Sequence, residues 1–294
     1  TDIKTCVEYG WIPLHMAAKA GKLDVVKYLV EQGADINTPG KDGSTPLHLA
    51  AKEARLDIVK YLIEQGSDIK VSNKDGMTPL HSAVQSRQQD VIRYLVEHGA
   101  DISTPDKNGS NSLHWAAEAR QWDVAKYFVE QGADINTAGQ YSRTLLHMAA
   151  KAGQLDVVKY LIEQGADINT PGLYDRTILH TAVRLGQLDK VKYFVEQGAD
   201  IKSLDDIGST PFHWAAEGRL DIVKYLIEQG ANINVPNKEG MTPLHWAANA
   251  GQLEVVKYLV EQGANINVYN KDGMTPLNLA SKTQQLNIVK YLEQ

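Results

Sequence analysis

Histidine is the residue type whose spacing in this sequence most directly suggests chemistry. Eight of the nine histidines recur at steps of 33 residues, with a single step of 32: His15, His48, His81, His114, His147, His180, His213 and His245. Imidazole is a common metal ligand, but a 33-residue period indicates stacked repeats whose successive helices pack about 8–10 Å apart. Two imidazoles that share a zinc ion each lie about 2 Å from it. The spacing therefore predicts no metal site.

Other motifs that could carry chemistry are incomplete. The segment Asn73–Gly76 resembles half of a calcium-binding loop, but the register puts Val71 and Ser82 where the two essential carboxylates belong. The chain has no phosphate-binding glycine loop, nucleophile elbow or metalloprotease helix motif. Its carboxylates recur in phase, as Glu31 and Glu64 do, which is typical of a solvated face. We therefore predict no catalytic residues, no cofactor and no metal.

Composition and charge exclude further classes. The 30 basic and 36 acidic residues give a net charge of −6, which argues against a non-specific nucleic-acid binder, because neutralising phosphates requires a basic surface. The chain contains no run of about 18 apolar residues, so no membrane insertion is expected. The only cysteine, Cys6, cannot form an intramolecular disulfide and favours a reducing, cytoplasmic compartment.

The same elements recur in every unit. Thr45 and Pro46 suit the N-cap and first position of a helix, where the threonine hydroxyl accepts from a free N–H. The segment Leu56–Gly66 has apolar residues at helical spacing and ends on a glycine stop. Polar residues such as Asn73–Gly76 then signal a turn. Each unit is predicted to be two helices joined by a tight turn, followed by a projecting hairpin, which we call a finger.

The recurring pattern T-P-L-H-x-A-A … G-A-D-I-N closely resembles that of the ankyrin repeat family over residues 1–294. The resemblance implies a single all-α solenoid of about nine repeats with short β-hairpin fingers. First helices and fingers would form its concave face, and second helices its convex face. It also implies that the phased histidines bond to the backbone of neighbouring loops. Members of this family overwhelmingly act as protein-binding scaffolds.

We number the repeats one to nine by the phased histidine, with Asn278 in the ninth place. Asp2–Thr5 aligns with Asp35–Thr38, so we expect the array to extend upstream, and repeat nine is similar to a terminal repeat. In repeat seven, Glu217–Gly218 replaces a three-residue segment, which predicts an interhelix turn shortened by one residue.

Four repeats lack the glycine of the interhelix turn, which is replaced by Ala54, Arg87, Arg120 and Gln284. If these turns stay left-handed, each replacement costs about 1–2 kcal/mol. Repeat three also has Gln89 where most repeats have leucine. Repeats three and four are therefore expected to be the least stable part of the array, with faster amide exchange over residues 82–125 than over 145–165.

Positions that vary between repeats are candidates for partner binding. The residue after the phased histidine is large and apolar in seven of nine repeats, and four of these are candidate site residues: Trp115, Met148, Trp214 and Trp246. Tryptophan is enriched at binding hot spots, and methionine adapts to irregular partners. We expect the two members of each pair, Trp115 with Met148 and Trp214 with Trp246, to be close neighbours. The alternative is that these side chains only pack between adjacent helices.

Fingers five and six form the second candidate site. Residues 139–144 and 172–177 have Ser142 and Asp175 where other fingers carry a glycine, and they gain a tyrosine and an arginine at the same offsets: Tyr141, Arg143, Tyr174 and Arg176. We expect these four side chains to lie side by side as an exposed patch for a carboxylate-bearing or aromatic segment of a partner. The alternative is a recent duplication with merely solvated side chains.

The sequence thus predicts a monomeric module that binds another protein or peptide through the concave groove and fingers. The position four residues after the phased histidine varies between repeats and carries charges of both signs, such as Lys19 and Glu118, which argues against a polyanionic ligand. One alternative is a structural spacer without a dedicated partner. Another is the targeting array of a larger protein, similar to acidic arrays of intracellular bacteria and protists that act on host proteins, which would imply secretion into a host cell. The irregular turns argue against a designed array.

Overall fold

The computed structural model describes residues 10–294, so the upstream repeat expected from Asp2–Thr5 lies outside the described residues. Each of the nine repeats contributes two α-helices. Their bounds are α1 Pro13–Ala20, α2 Leu23–Glu31, α3 Pro46–Lys52, α4 Leu56–Glu64, α5 Pro79–Gln85, α6 Gln89–Glu97, α7 Ser112–Glu118, α8 Trp122–Glu130, α9 Leu145–Lys151, α10 Leu155–Glu163, α11 Ile178–Arg184, α12 Leu188–Glu196, α13 Pro211–Ala216, α14 Leu220–Glu228, α15 Pro243–Asn249, α16 Leu253–Glu261, α17 Pro276–Lys282 and α18 Leu286–Leu292. The helical pairs predicted from the repeat are confirmed.

The first helix of each repeat is nearly enclosed by its neighbours. In α3, Leu47, Ala50 and Ala51 are completely buried, and the small alanine side chains allow neighbouring helices to approach closely. In α4 only one face is buried, through residues such as Ile58 and Leu62. First helices therefore form the centre of the core, and second helices cover it on one side.

The chain forms two compact units, residues 1–140 and 141–294. In the first unit, described from residue 10, α1, α3, α5 and α7 pack in sequence. In the second unit, α9, α11, α13, α15 and α17 pack in the same way. Within each unit, consecutive repeats thus contact each other, as expected for a stacked array. That all 294 residues form a single array stays a prediction.

The fingers are tight turns and not β-hairpins. In finger three the Asn73 N–H donates to the Met77 carbonyl at 2.9 Å, and one further bond, from Lys74 N–H to the Asp42 carbonyl at 2.8 Å, joins it to finger two. Within residues 10–294 no β-strand is present, so the predicted hairpins are not formed. One bond between consecutive fingers is too few for a strand ladder.

The interhelix turns confirm the expected backbone conformation. The four residues that replace glycine all have positive φ: Ala54 at 58°, Arg87 at 59°, Arg120 at 56° and Gln284 at 61°. The expectation of a shortened turn in repeat seven is wrong. Helix α13 has six residues where α15 has seven, and Glu217, Gly218 and Arg219 complete a turn of ordinary length. The one-residue deletion therefore shortens helix α13 and not the turn.

We expect Arg120→Gly to raise the free energy of unfolding by about 1 kcal/mol, because glycine adopts the left-handed turn without strain but loses more chain entropy on folding. Arg87→Gly should gain less, since Arg87 Nη2 donates to the Ala119 carbonyl at 2.8 Å and this bond would be lost. Urea denaturation of both variants measures the difference. A lower midpoint for Arg120→Gly would contradict the strain argument. The faster amide exchange over residues 82–125 stays a prediction, to be measured on the same samples.

Candidate functional site

Each phased histidine lies in the first turn of a first helix. In repeat seven the Thr210 N–H donates to His213 Nδ1 at 3.1 Å. Because a backbone N–H only donates, Nδ1 is an acceptor and the imidazole proton resides on Nε2. That proton is donated to the Met241 carbonyl of the next finger at 3.1 Å. The ring therefore connects a helix N-terminus to the neighbouring loop.

The same connection recurs in most repeats. Nε2 lies 2.9–3.2 Å from a backbone carbonyl in six of them: His15, His48, His114, His180, His213 and His245. In these six the structural role implied by the resemblance is confirmed. The Nε2 atoms of His81 and His147 lie near the Ser110 and Arg176 carbonyls, but at a geometry too poor for a hydrogen bond.

The helix caps add a second interaction to the predicted one. Thr45 is the N-cap of α3, and its side chain and that of His48 form a reciprocal capping box, in which each accepts from the backbone N–H of the other residue. The Thr45 N–H donates to His48 Nδ1 at 3.1 Å, and Thr45 Oγ1 also lies 2.9 Å from this nitrogen. The imidazole is therefore a capping group together with the threonine hydroxyl.

Burial lowers the pKa of all eight phased histidines. For His81 and His213 the pKa falls to about 4, because desolvation outweighs the nearby carbonyl and carboxylate groups that favour the cation. The rings are therefore neutral at pH 7. No three His, Cys, Asp or Glu side chains between residues 10 and 294 are close enough together to hold a metal ion.

Two of the predicted tryptophans meet. The rings of Trp214 and Trp246 lie edge to face, with 5.4 Å between their centroids, which confirms that they are neighbours. Trp214 Nε1 donates to Asp205 Oδ2 at 3.0 Å, and Asp205 is only 3% exposed. Both rings are half-buried, so each contributes to packing and also presents a surface.

The other predicted pair is divided between the two compact units. Trp115 belongs to the first and Met148 to the second, so their contact stays a prediction. Trp115 repeats the arrangement of Trp214, since its Nε1 donates to Asp106 Oδ2 at 2.9 Å. At the equivalent positions Leu49 and Leu279 are buried. Packing therefore explains part of the apolar preference after the phased histidine.

Fingers five and six have an unusual backbone. Each contains a single 3₁₀ turn, Gln140–Ser142 and Leu173–Asp175. Four non-glycine residues there have positive φ: Tyr141 at 60°, Ser142 at 55°, Tyr174 at 59° and Asp175 at 55°. The left-handed conformation costs about 1–2 kcal/mol for each such residue. It leaves both tyrosines exposed, at 58% and 55% of their surface.

The arginines of these fingers stack on aromatic rings. The Arg143 guanidinium lies 5.4 Å from the centroid of Tyr141. The Arg176 guanidinium lies 5.1 Å from Tyr174 and 4.4 Å from Trp214. Finger six therefore continues into the tryptophan pair, and we call Tyr174, Arg176, Trp214 and Trp246 the aromatic–arginine stack. The sequence treats these residues as two separate candidate sites, whereas the structure brings them together.

Asp205 is a site residue that the sequence reasoning missed. Its carboxylate binds Trp214 and lies 3.9 Å from Arg176 Nε. The available signal was an aspartate nine residues before a tryptophan, which occurs with Asp106 and Trp115 and again with Asp205 and Trp214. The buried carboxylate therefore fixes the Trp214 indole through a hydrogen bond and lies beside the Arg176 guanidinium.

Arginines from both fingers line one cleft of about 160 Å³. We call this the basic cleft and define it by six of its lining residues: Arg143, His147, Lys151, Tyr174, Arg176 and Arg184. Three of the four predicted finger residues thus lie together. The lining includes four cationic side chains and no carboxylate.

The comparison with known families agrees with this architecture. None of the helices between residues 10 and 294 combines the length and apolar character needed to cross a bilayer. No curated protein matches the chain. A family model described as ankyrin repeats (3 copies) matches residues 1–73, 65–139, 103–172, 146–237 and 212–294. These matches cover the whole sequence, and the chain therefore belongs to the ankyrin repeat family.

Proposed function

We propose that this chain binds a partner protein through the aromatic–arginine stack and fingers five and six. Ankyrin repeats are generally protein–protein interaction modules. The observation that supports this location is the contact between Arg176 and Trp214, 4.4 Å from guanidinium to ring centroid. It makes one continuous surface from side chains of two consecutive repeats.

The composition of this surface favours a binding role. Tryptophan, tyrosine and arginine are the residue types most enriched at hot spots. Tyr174 supplies an exposed ring, and Arg176 is held between two rings. A side chain that is already ordered loses little entropy when a partner binds. The stack is therefore preorganised for contact.

The backbone of the fingers argues against the spacer alternative. A spacer needs only a turn, and Gly43 and Gly76 make that turn without strain. Fingers five and six instead hold Tyr141 and Tyr174 at positive φ, and strained residues concentrate at functional sites. A targeting array within a larger protein would use the same surface. Ankyrin repeats are typically non-enzymatic scaffolds, and we infer a monomeric, cytoplasmic binding module without catalytic residues.

Capture from lysate tests this proposal with two quadruple variants. The first replaces Tyr141, Arg143, Tyr174 and Arg176 with alanine. The matched control replaces two exposed tyrosines and two exposed lysines elsewhere: Tyr28, Lys41, Lys74 and Tyr269. We expect a protein captured by the wild-type chain and the control to be lost from the first variant. Loss of one hot spot costs about 2 kcal/mol or more, so retention should fall at least tenfold.

Two outcomes would contradict the proposal. Equal capture by all three chains would remove fingers five and six from the binding surface. Absence of any protein specific to the wild-type chain would favour the spacer alternative. Melting curves of both variants show whether a lost partner reflects lost folding, since the first variant also removes the Arg176 side chain that lies 3.9 Å from buried Asp205.

A further inference from the structure

We propose that the basic cleft binds the phosphate group of a phosphorylated side chain in the partner protein. This inference rests on the proposed function, because the cleft shares Arg143, Tyr174 and Arg176 with the partner-binding surface. It adds the chemistry of the group that the partner must present there.

Charge is the first argument. Arg143, Lys151, Arg176 and Arg184 all line the cleft, and the lining has no carboxylate. Among the described residues, only Arg176 of these four lies within 4 Å of an acid, and its Nε is 3.9 Å from Asp205 Oδ2. Three cations therefore remain uncompensated around one small space. A bound anion would relieve their mutual repulsion.

Two buried donors provide the second argument. His147 accepts from the Thr144 N–H through Nδ1 at 3.3 Å, so its proton is on Nε2. That Nε2 is buried near the Thr170 and Arg176 carbonyls but forms no hydrogen bond of good geometry. Arg176 Nε is also buried without a hydrogen bond, 3.9 Å from Asp205 Oδ2. Buried donors normally have acceptors, and both of these residues line the cleft.

The third argument is that the cations coincide only in this part of the sequence. Lys151 and Arg184 are the last residues of the first helices α9 and α11. This position is also cationic in another pair of consecutive repeats, one and two, where it is Lys19 and Lys52. The finger position of Arg143 and Arg176 is uncharged in the other seven repeats: Trp11, Ser44, Met77, Ser110, Ser209, Met241 and Met274. Only repeats five and six combine both features. A solvated face that recurs in every repeat does not explain cations that occupy both positions in only two repeats.

The fingers also leave space for a ligand. A backbone bond joins finger two to three and finger six to seven, the latter from Asp206 N–H to the Tyr174 carbonyl at 3.0 Å. In the described chain no such bond joins finger five to finger six. The cleft of about 160 Å³ lies between them, with room for a tetrahedral oxyanion.

A phosphate matches these groups better than a carboxylate. A phosphorylated side chain carries about −1.5 to −2 charges and three strong acceptor oxygens. Arginine pairs with it in bidentate geometry, and clustered arginines are a recurrent means of recognising phosphorylated motifs. A carboxylate brings one charge and two oxygens. The net charge of −6 and the mixed charges of the other repeats point to one local anion and not to a nucleic acid.

Three peptides and one ion test the proposal on the intact chain. The peptides share the sequence Ac-Gly-Phe-X-Phe-Gly-NH2, where X is phosphothreonine, glutamate or threonine. Inorganic phosphate is titrated separately against chloride, with the His147 imidazole signals followed by NMR. We expect phosphate to shift these signals, and the phosphothreonine peptide to bind at least tenfold more tightly than either other peptide.

Variants connect the binding to the cleft. The cleft variant is Arg143→Ser, Lys151→Ala, Arg176→Ser and Arg184→Ala. Its control removes four exposed lysines of repeats one to three: Lys19→Ala, Lys41→Ala, Lys52→Ala and Lys74→Ala. A milder double variant, Lys151→Ala with Arg184→Ala, leaves the aromatic–arginine stack intact and removes two cations. We expect at least a tenfold loss for the cleft variant, a smaller loss for the double variant, and none for the control.

The outcomes separate this inference from the proposed function. Equal, cleft-dependent binding of all three peptides would overturn phosphate recognition and leave protein binding in place. Preference for the glutamate peptide would assign the cleft to a carboxylate instead. Phosphate shifts that persist in the cleft variant, or no binding of phosphate and phosphothreonine peptide, would also overturn the inference. The capture experiment then still decides the proposed function.

Discussion

Lowering the pH from 6.5 to 4 is expected to destabilise this chain strongly, through the phased histidines. Burial lowers the folded-state pKa of His81 and His213 to about 4, whereas an unfolded histidine titrates near its ordinary 6.5. The unfolded state therefore binds more protons in this interval, and stability falls as the pH falls. The stabilisation is complete above pH 6.5. At pH 4, each of these two residues has lowered the free energy of unfolding by about 3 kcal/mol.

The geometry gives this loss a structural cause. Protonating His213 would place a new Nδ1–H against the Thr210 N–H, which now donates to Nδ1 at 3.1 Å. The helix N-terminus would lose its capping acceptor while a buried charge appeared. The other six phased histidines are shifted in the same direction, so the effect accumulates along the array.

Urea denaturation at pH 7, 5.5 and 4.5 measures this dependence, with His213→Asn and His98→Asn as a matched pair. Asparagine can perform the capping role, since Asn278 Oδ1 accepts from the Thr275 N–H at 2.9 Å. His213→Asn should therefore reduce the pH dependence. His98 is exposed and lies outside the phase, so His98→Asn should leave it unchanged. Identical pH dependence in the two variants would show that His213 is not responsible.

The repeat period predicted features that depend on the backbone alone. The positions of the helices follow from the local sequence of each repeat. The left-handed turns at residues such as Arg87 follow as well, because each turn must reverse the chain in the same number of residues. The recurring tyrosines are also explained by the period. Lys27 lies 5.8 Å from the ring centroid of Tyr61, and Lys60 lies 5.4 Å from that of Tyr94, so α2 contacts α4 and α4 contacts α6.

Features that depend on side-chain direction were not predictable in this way. The sequence shows that fingers five and six gain arginines, but not that Arg176 turns toward Trp214 in the following repeat. The basic cleft brings together fingers and helix ends that are separated in the sequence by up to 41 positions, from Arg143 to Arg184. The predicted β-hairpins are absent from residues 10–294 for a local reason: a finger such as finger three closes within five residues, from the Asn73 N–H to the Met77 carbonyl at 2.9 Å, and no paired strands flank this turn.

Replacing Trp214 with alanine is expected to lower the free energy of unfolding by about 3 kcal/mol, near the lower end of large-to-small core substitutions, because the ring is half-buried. The variant loses the edge-to-face contact with Trp246 and the contact with Arg176. It also leaves Asp205 Oδ2, in a side chain that is 3% exposed, without the donor at 3.0 Å. Urea denaturation at pH 7 measures the change.

Trp214→Phe separates the hydrogen bond from the packing. Phenylalanine retains most of the ring contact but cannot donate to Asp205, and an unsatisfied buried acceptor costs about 1–3 kcal/mol. The matched control is Trp246→Phe. Nine residues before Trp246 the chain has Asn237, whereas nine residues before Trp214 it has the buried Asp205 that accepts from the indole. Trp214→Phe should therefore destabilise the chain more than Trp246→Phe does. If Trp214→Phe leaves the unfolding midpoint unchanged and only weakens capture of the partner, the indole acts as a binding anchor alone, and Asp205 does not depend on it for stability.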